Sequence, residues 1–269
     1  MPPTFLLLLL AIPLIGGVLI QLLPVDRPVL SRGTAAATAG TQLLVSLLCW
    51  RFPPADLHQP WLPKLALALD LGLDGLSLPL VLLTAALTAL AILATPADLQ
   101  RPRLFQSLLL ATNLGITGAF LARNALLFLV AFELVLIPTT LLVMIWGGSR
   151  RTEAGIRYLL FGAVSGLSLL AGVLALGWLN TNGLSFSYDA LTSASLSPRA
   201  QTWVLALLLL AFGLKLPVIP LHGWLPLAYA QAPTPVVMVM AGAVSKLGAY
   251  GLLRFAVGFL PEAWTIWSP

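Results

Sequence analysis

Residues 125–146 of the chain read ALLFLVAFELVLIPTTLLVMIW, an apolar run whose one charged side chain is Glu133. A helix that crosses a bilayer needs about 20 predominantly apolar residues. The run is long enough, and its apolar residues do not alternate with polar ones as they would in a barrel strand. The stretch therefore predicts a transmembrane helix that carries a charge near its middle.

The composition of the whole chain supports the same class. Hydrophobic residues make up 59% of the 269 residues, charged residues make up 9%, and the mean hydropathy is +0.99. A soluble domain carries about 25% charged residues. These values exclude a water-soluble globule, a disordered chain and a collagen-like fibre, and they predict an all-α integral membrane protein.

We predict about eight transmembrane helices, separated by polar or turn-forming links. The predicted segments are residues 4–23, 33–50, 76–95, 104–122, 125–146, 156–179, 201–221 and 235–256. The longest link, 51–75, ends in the alternating run Leu65 to Leu71, which favours a short hairpin or an extended interfacial segment.

The net charge of +5 results from 14 Lys and Arg residues against 9 Asp and Glu residues, and most of the cations are scattered among the links. This pattern is typical of loops on the inner side of a membrane and lacks the clustered basic face of a nucleic-acid-binding protein. The distribution of loop cations weakly favours an N-terminus on the outer side. The single Cys49 excludes an intrachain disulfide, and His58 and His222 lie too far apart in sequence to predict a metal site.

Three charged residues fall inside predicted membrane segments and away from the segment ends: Glu133, Lys215 and Lys246. A charge at the centre of a membrane helix costs about 2.5–3.5 kcal/mol, so three unpaired charges facing lipid would cost on the order of 8–10 kcal/mol. The side chains must therefore face the bundle. They can form a structural Glu–Lys pair that locks two helices, or a relay in which the protonation of one group depends on the others.

The seventh segment is interrupted by prolines. Lys215-Leu216-Pro217 is followed by Pro220, His222 and Pro226, and each proline removes a backbone donor. A helix break beside a buried lysine is tolerated only where protein or water lines the interior. We predict a broken helix here, with His222 either in proton transfer or as an anchor at the interface.

Several motifs resemble those of a known family. Phe132 to Pro138, Ile145-Trp146-Gly147-Gly148, His222 to Pro226, Ala241 to Arg254 and Gly72 to Ser77 are similar to the antiporter-like, proton-pumping subunits of type I NAD(P)H–quinone oxidoreductases, which include respiratory complex I. The similarity is greatest to the branch known as chain 4 or chain M. It covers most of the chain from residue 70 onward.

The resemblance implies roles for individual residues. Glu133, Lys215 and Lys246 would form the proton relay, with His222 supporting it, in the first of two inverted half-channels. The chain itself would bind no cofactor, because quinone and NAD(P)H or ferredoxin react elsewhere in the complex. Its partners would be other membrane subunits and the lipid bilayer of a bacterial plasma membrane or a thylakoid, with no nucleic acid.

The chain also departs from the family pattern, since the second half-channel is missing. Leu227 replaces an acidic residue, Tyr229 a histidine and Arg157 a lysine. We expect residues 1–103 to form three N-terminal helices, 104–256 a half-channel repeat and 257–269 a tail. A separate chain that carries the missing helices, a subunit of an Mrp-type cation/proton antiporter and a non-conducting structural half-subunit remain alternatives.

Overall fold

The structure is a computed structural model that describes residues 1–24, 27–180, 183–192 and 196–267. The N-terminal half contains α1 (Thr4–Leu22), α2 (Pro28–Arg51), β1 (Leu57–Leu62), β2 (Leu67–Leu71), α3 (Ser77–Leu93) and α4 (Pro102–Leu121). The C-terminal half contains α5 (Ala125–Leu134), α6 (Leu136–Trp146), α7 (Arg151–Trp178), α8 (Tyr188–Thr192), α9 (Pro198–Lys215), α10 (Leu225–Gln231), α11 (Thr234–Val239), α12 (Ser245–Gly251) and α13 (Pro261–Trp267). The expected tail is thus largely helical, and its residues 268–269 lie outside the described residues.

Among the described residues, five helical segments are long and apolar enough to cross a membrane by length and composition. They are Thr4–Leu22, Pro102–Leu121, Ala125–Trp146, Arg151–Trp178 and Thr234–Val257. The predicted class, an all-α multi-pass membrane protein, is confirmed. The count of eight spans stays a prediction, although α2, α3 and α9 coincide with the three remaining predicted segments.

Helix α4 connects the two halves of the bundle, because it packs against α1, α2 and α3 on one side and against α5 and α6 on the other. The close approach to α5 and α6 depends on Gly115. A Cβ atom there would lie 3.0 Å from the carbonyl oxygen of Ala131 and 3.1 Å from the amide nitrogen of Val135. The absence of a side chain therefore brings α4 directly onto the backbone beside Glu133.

The link 51–75 forms a hairpin, as predicted. Strands β1 and β2 are antiparallel, with Leu57 opposite Leu71 and His58 opposite Asp70. The hairpin is joined to the end of α4, because the amide of Arg123 donates to the carbonyl of Asp70 over 2.8 Å. The alternation in residues 65–71 thus marked a strand whose Leu67 and Leu71 are buried.

Two predicted helices contain irregularities that the sequence analysis did not anticipate. The fifth segment is divided at Val135 into α5 and α6. Pro138 lacks the N–H group that would donate to the carbonyl of Leu134, which explains an interruption at this point. The eighth segment contains two π-helical stretches, Met240–Val244 and Leu252–Val257, where one extra residue is accommodated per turn.

Four links lie on one end of the bundle. The indole nitrogen of Trp146 donates to the carbonyl of Gln100 over 2.6 Å. The backbone amide of Gly148 donates to the backbone carbonyl of Gln231 over 2.9 Å. The links α1–α2, α3–α4, α6–α7 and α10–α11 therefore share this end, which we call the basic face because it holds Arg27, Arg32, Arg101, Arg103, Arg150 and Arg151. The hairpin lies at the opposite end. Which end faces the inside of the compartment stays a prediction.

Candidate functional site

Glu133 lies in the last turn of α5 and faces α7. Its carboxylate lies directly over Gly166, where a Cβ atom would come within 2.2 Å of Oε1. The side chain is half-buried and lines a cavity of about 340 Å³ that is open to the surface. The other lining residues are apolar: Leu129, Leu136, Ala163, Gly166, Leu167 and Leu170. The carboxylate is thus held at the edge of the bundle in a groove that offers it little polar solvation.

Lys215 is the last residue of α9 and is buried, with 4% of its surface exposed. Its ammonium nitrogen lies 4.6 Å from the ring centre of Phe132 and 5.9 Å from that of Tyr158. An aromatic face attracts a cation through its quadrupole, and this attraction grows when the site is desolvated. The two rings therefore stabilise the ammonium group in a largely apolar interior.

Glu133 and Lys215 interact electrostatically, but they form no ion pair in the described part of the chain. Phe132, which precedes Glu133 in the sequence, provides the ring next to the lysine. The structural interpretation, a Glu–Lys pair that locks two helices, requires a direct contact that this arrangement lacks. The protonation of either group nevertheless influences the other.

The predicted break begins where α9 ends, at Lys215. Residues 216–224 are not α-helical, and α10 starts at Leu225. The indole nitrogen of Trp224 donates to the carbonyl of Leu214 over 2.8 Å and so satisfies one backbone acceptor that the break exposes. A small cavity of about 10 Å³ adjoins Lys215, Tyr158 and Ser165, which is about the volume that one water needs.

Lys246 lies on α12, and its ammonium group donates to the carbonyl of Ala241 over 3.2 Å. That carbonyl belongs to the π-helical stretch Met240–Val244. Two residues further on, a Cβ atom at Gly248 would lie 2.8 Å from the carbonyl oxygen of Phe212. Helix α12 therefore packs backbone to backbone against the end of α9, and the half-buried Lys246 lies on the helix that adjoins the break.

His222 follows the break and is half-buried. Its Nδ1 atom is buried and has no hydrogen-bond partner among the described residues. The structure does not bring the imidazole into a hydrogen bond with Lys215 or Glu133. Arg157, by contrast, forms an ion pair with Glu153 over 2.9 Å on the exposed surface of α7.

An ion pair between Asp74 and Arg254 was not predicted from the sequence. Asp74 pairs with Arg254, and its Oδ1 atom accepts from the amides of Leu76 and Ser77 at 3.0 and 2.8 Å. Burial raises the pKa of Asp74, but the hydrogen bonds and Arg254 outweigh it and hold that pKa below its usual value. The carboxylate thus caps the start of α3 and ties it to the end of the eighth segment.

A family model described as "NADH:quinone oxidoreductase/Mrp antiporter, TM" matches residues 122–268. The chain belongs to this family. The match covers more than half of the chain and includes Glu133, Lys215, His222 and Lys246. Family membership confirms the resemblance on which the roles of these residues were predicted, while the roles themselves stay predictions.

Individual relatives extend the similarity to the N-terminal helices. The chain is 37% identical over 267 residues to NAD(P)H-quinone oxidoreductase chain 4 1 of Synechococcus sp. (strain JA-3-3Ab), which covers 97% of this chain and 51% of the relative. It is similar to a chain of respiratory complex I from Thermus thermophilus, with a TM-score of 0.86 and 31% identity. The similarity covers 97% of this chain and 54% of the Thermus chain. A chain of the Mrp complex from Dietzia sp. DQ12-45-1b gives a TM-score of 0.80 and 25% identity. The similarity covers 98% of this chain and 29% of the Dietzia chain.

The chain spans about half the length of the curated relatives that it matches over nearly all of its own residues. These relatives are named as NAD(P)H-quinone oxidoreductase chains, the Thermus chain belongs to respiratory complex I, and the Dietzia chain belongs to an Mrp complex. The family resemblance therefore reaches from the first helix of this chain to its eighth predicted segment.

Proposed function

We propose that the chain is a proton-translocating membrane subunit of a type I NAD(P)H–quinone oxidoreductase. The observation that carries the proposal is the placement of Glu133 and Lys215. Lys215 is buried in the helical bundle beside a helix break, and Glu133, to which it is electrostatically coupled, lies at the edge of the bundle. Such groups are costly in a membrane interior and mark ion or proton pathways when they face the protein.

In this proposal Lys215 is the central proton carrier. Its aromatic surroundings tolerate the charged form, and the adjoining cavity has room for a water that would hand over the proton. Glu133 sets the electrostatic free energy of that charge from the neighbouring helix. Lys246, on the helix packed against the break, would receive the proton next, and His222 would assist at the open end of the break.

The proposal includes the setting of the subunit. Quinone reduction by NAD(P)H or ferredoxin would occur in other subunits, and its free energy would reach this chain through membrane contacts. The relatives at about twice the length support a further partner, a segment or separate chain that carries the second half-channel. The membrane would be a bacterial plasma membrane or a thylakoid, with the N-terminus of the chain on the outer side.

The similarity to the Mrp complex supports a second candidate, a subunit of a cation/proton antiporter. The same buried charges would then exchange protons for another cation without a redox partner. A non-conducting structural subunit is the third candidate. The buried ammonium group of Lys215, which has no ion-pair partner among the described residues, argues against it, because an apolar residue would be buried there at a lower free-energy cost.

Purification of the tagged chain from its native membrane, followed by mass spectrometry, separates the two transport candidates. Quinone-oxidoreductase subunits among the retained proteins would support the proposal. Retention of cation-antiporter subunits alone would overturn the oxidoreductase assignment.

Glu133→Gln then tests the relay within the purified assembly. We expect quinone-coupled proton translocation in proteoliposomes to fall by at least about 100-fold, because a positioned proton-transfer group contributes about 10²–10⁴-fold. The matched control is Glu153→Gln, which removes a surface carboxylate paired with Arg150 and Arg157. Normal pumping by the Glu133 variant would refute its role in the relay.

A further inference from the structure

Another cavity lies on the basic face, and none of its lining residues belongs to the proposed relay. It has a volume of about 130 Å³ and lies between the N-terminal ends of α2 and α4 and the C-terminal end of α3. Its lining includes Pro28, Arg32, Thr95, Pro102 and Gln106. Neither the proposed relay nor the family motifs use any of these residues.

Gln106 is the most informative residue of the lining. It is 1% exposed, and neither its amide nitrogen nor its amide oxygen has a hydrogen-bond partner among the described residues. A buried primary amide without partners loses the hydrogen bonds that water gave it, so native structures rarely leave one unsatisfied. An amide that lines a cavity can regain both kinds of hydrogen bond from a ligand that has acceptor and donor oxygens.

The charge around the cavity favours an anionic ligand. Arg32 is half-buried, and one of its guanidinium nitrogens contacts the carbonyl of Leu93, which leaves other donors of its fork for a ligand. Arg27, Arg101 and Arg103 belong to the same links. In sequence, the same links contain two acids, the exposed Asp98 and Asp26, which lies outside the described residues, so these links hold more cations than acids.

The two helix ends add to this preference. Both α2 and α4 start with a proline and have no side-chain cap, so the first turn of each helix leaves N–H groups without an i−4 acceptor, although the amide of Leu30 donates to the carbonyl of Arg27 over 3.1 Å. The N-terminal end of a helix carries a partial positive charge and binds phosphate groups. Two such ends lie beside the same cavity as the buried amide of Gln106 and the guanidinium group of Arg32.

The surface around the cavity is apolar. Val29 is 82% exposed, Leu93 is 58% exposed and Leu22 is 76% exposed, although all three lie at the end of the bundle beside the arginines. A free phosphate ion would leave these side chains uncovered. A phospholipid would cover them with acyl chains while its phosphate lies at the level of the helix ends.

We propose that this cavity binds the headgroup of an anionic phospholipid of the phosphatidylglycerol type. Arg32 and the N–H groups at the helix ends hold the phosphate oxygens, and Gln106 exchanges hydrogen bonds with the phosphate and with a glycerol hydroxyl. Exposed apolar residues beside the cavity carry the acyl chains. The site is independent of the proposed function, because it involves no residue of the relay.

The test uses the assembly that is purified with the chain from its native membrane, stripped of lipid in mild detergent. Dioleoyl-phosphatidylglycerol, dioleoyl-phosphatidylcholine and glycerol phosphate are added back separately. Thermal unfolding and native mass spectrometry report binding. A ligand that binds only the folded protein raises the unfolding temperature with its concentration.

We expect phosphatidylglycerol to raise the unfolding temperature and to be retained, and phosphatidylcholine and glycerol phosphate to do neither at the same concentration. Arg32→Gln should weaken the apparent affinity about tenfold, since one charge-assisted hydrogen bond is lost. Gln106→Leu should remove the same lipid effect while keeping or raising the unfolding temperature without lipid, because an unsatisfied buried amide is lost. The matched control is Arg51→Gln, which removes the same charge at the other end of α2.

Equal protection by glycerol phosphate would overturn the lipid assignment and leave a site for a soluble phosphate. Equal retention of phosphatidylcholine would overturn the need for an anionic headgroup. Unchanged phosphatidylglycerol binding in both Arg32→Gln and Gln106→Leu would place any bound lipid elsewhere on the surface and overturn the site.

Discussion

Two buried polar clusters lie in different halves of the bundle and differ in kind. In the N-terminal half, the amide nitrogen of Gln42 donates to Asn113 Oδ1 over 2.9 Å and to the carbonyl of Leu9 over 3.2 Å. Thr117 donates to the same oxygen of Asn113 over 3.0 Å. In the C-terminal half, Glu133 and Lys215 are charged and do not touch each other.

The difference indicates what each cluster does. Gln42, Asn113 and Thr117 are fully buried and connect α1, α2 and α4 through direct hydrogen bonds between groups that do not titrate at physiological pH. Such bonds hold membrane helices together. Glu133 and Lys215 form no such direct bond among the described residues, although charges cost more to bury, and this agrees with the proposed role in gaining and losing protons.

The largest effect is expected from Lys215→Met, which removes the buried charge at similar volume. Proton translocation should fall by at least about 100-fold, because the central carrier is lost. The unfolding temperature should stay the same or rise, since a buried charge without a direct partner is replaced by an apolar side chain. Translocation in proteoliposomes and thermal unfolding check the two parts.

The matched control is Lys64→Met in the turn of the hairpin, where the lysine belongs to an exposed surface. It should translocate normally. If the Lys215 variant pumps normally but unfolds at a lower temperature, the pair Glu133 and Lys215 has a structural role, as the neutral cluster of Gln42, Asn113 and Thr117 does.

A smaller loss is expected from Gly166→Ala, which leaves both charges in place. Its new methyl group would lie 2.2 Å from Oε1 of Glu133 and must displace the carboxylate. We expect translocation to fall about tenfold, because displacement of a reacting group by about 1 Å costs up to about 100-fold. Gly162→Ala is the control one turn away, since its methyl group meets only the side chain of Leu136. Equal losses in both variants would show a packing effect instead.

The neutral cluster is broken by Asn113→Leu. The free energy of unfolding should fall by about 1–3 kcal/mol, because the buried amide of Gln42 and the hydroxyl of Thr117 lose the acceptor oxygen that they share. Translocation per folded molecule should stay within about twofold of the wild-type value. Thr112→Val is the control on the same helix, because the hydroxyl of Thr112 donates only to Leu108 in its own helix. Lost pumping in a stable Asn113 variant would extend the proton path into the N-terminal half.

The smallest effect is expected at Asp74. This charged residue has direct partners, Arg254 and two backbone amides, whereas Glu133 and Lys215 have no ion-pair partner among the described residues. Its contribution to stability is present above its ordinary pKa of about 3.9 and is lost as the pH falls through the lower pKa of the folded state. Asp74→Asn should therefore reduce the free energy of unfolding by about 1 kcal/mol at pH 7. The difference from the wild type should shrink as the pH is lowered from 5 towards 3.

Unfolding in detergent across this pH range measures the effect, with Asp98→Asn as the exposed control on another link. A difference that persists unchanged at pH 3 would mean that the backbone cap, rather than the charge, stabilises the start of α3.

The hairpin and the broken helix were predictable because their signals are local. Alternation over residues 65–71 marks a strand, and the prolines at 217, 220 and 226 remove helix donors where they stand. The interruption at Val135 was not predicted from Pro138, because membrane helices often tolerate a proline when neighbours satisfy the freed groups. The π-helical stretches of the eighth segment leave no such signal in the sequence.

The sequence by itself determined the class of the protein, the path of its chain through helices and hairpin, and the identity of the charges that must face the interior. These follow from composition and from the free energy of burying charge in lipid. Only the tertiary structure decided that Glu133 and Lys215 are close without touching, that Asp74 pairs with Arg254, and that Gln106 is left unsatisfied beside a cavity. These facts depend on contacts between residues far apart in the chain, whose distances are set by how small residues such as Gly115, Gly166 and Gly248 let the helices pack.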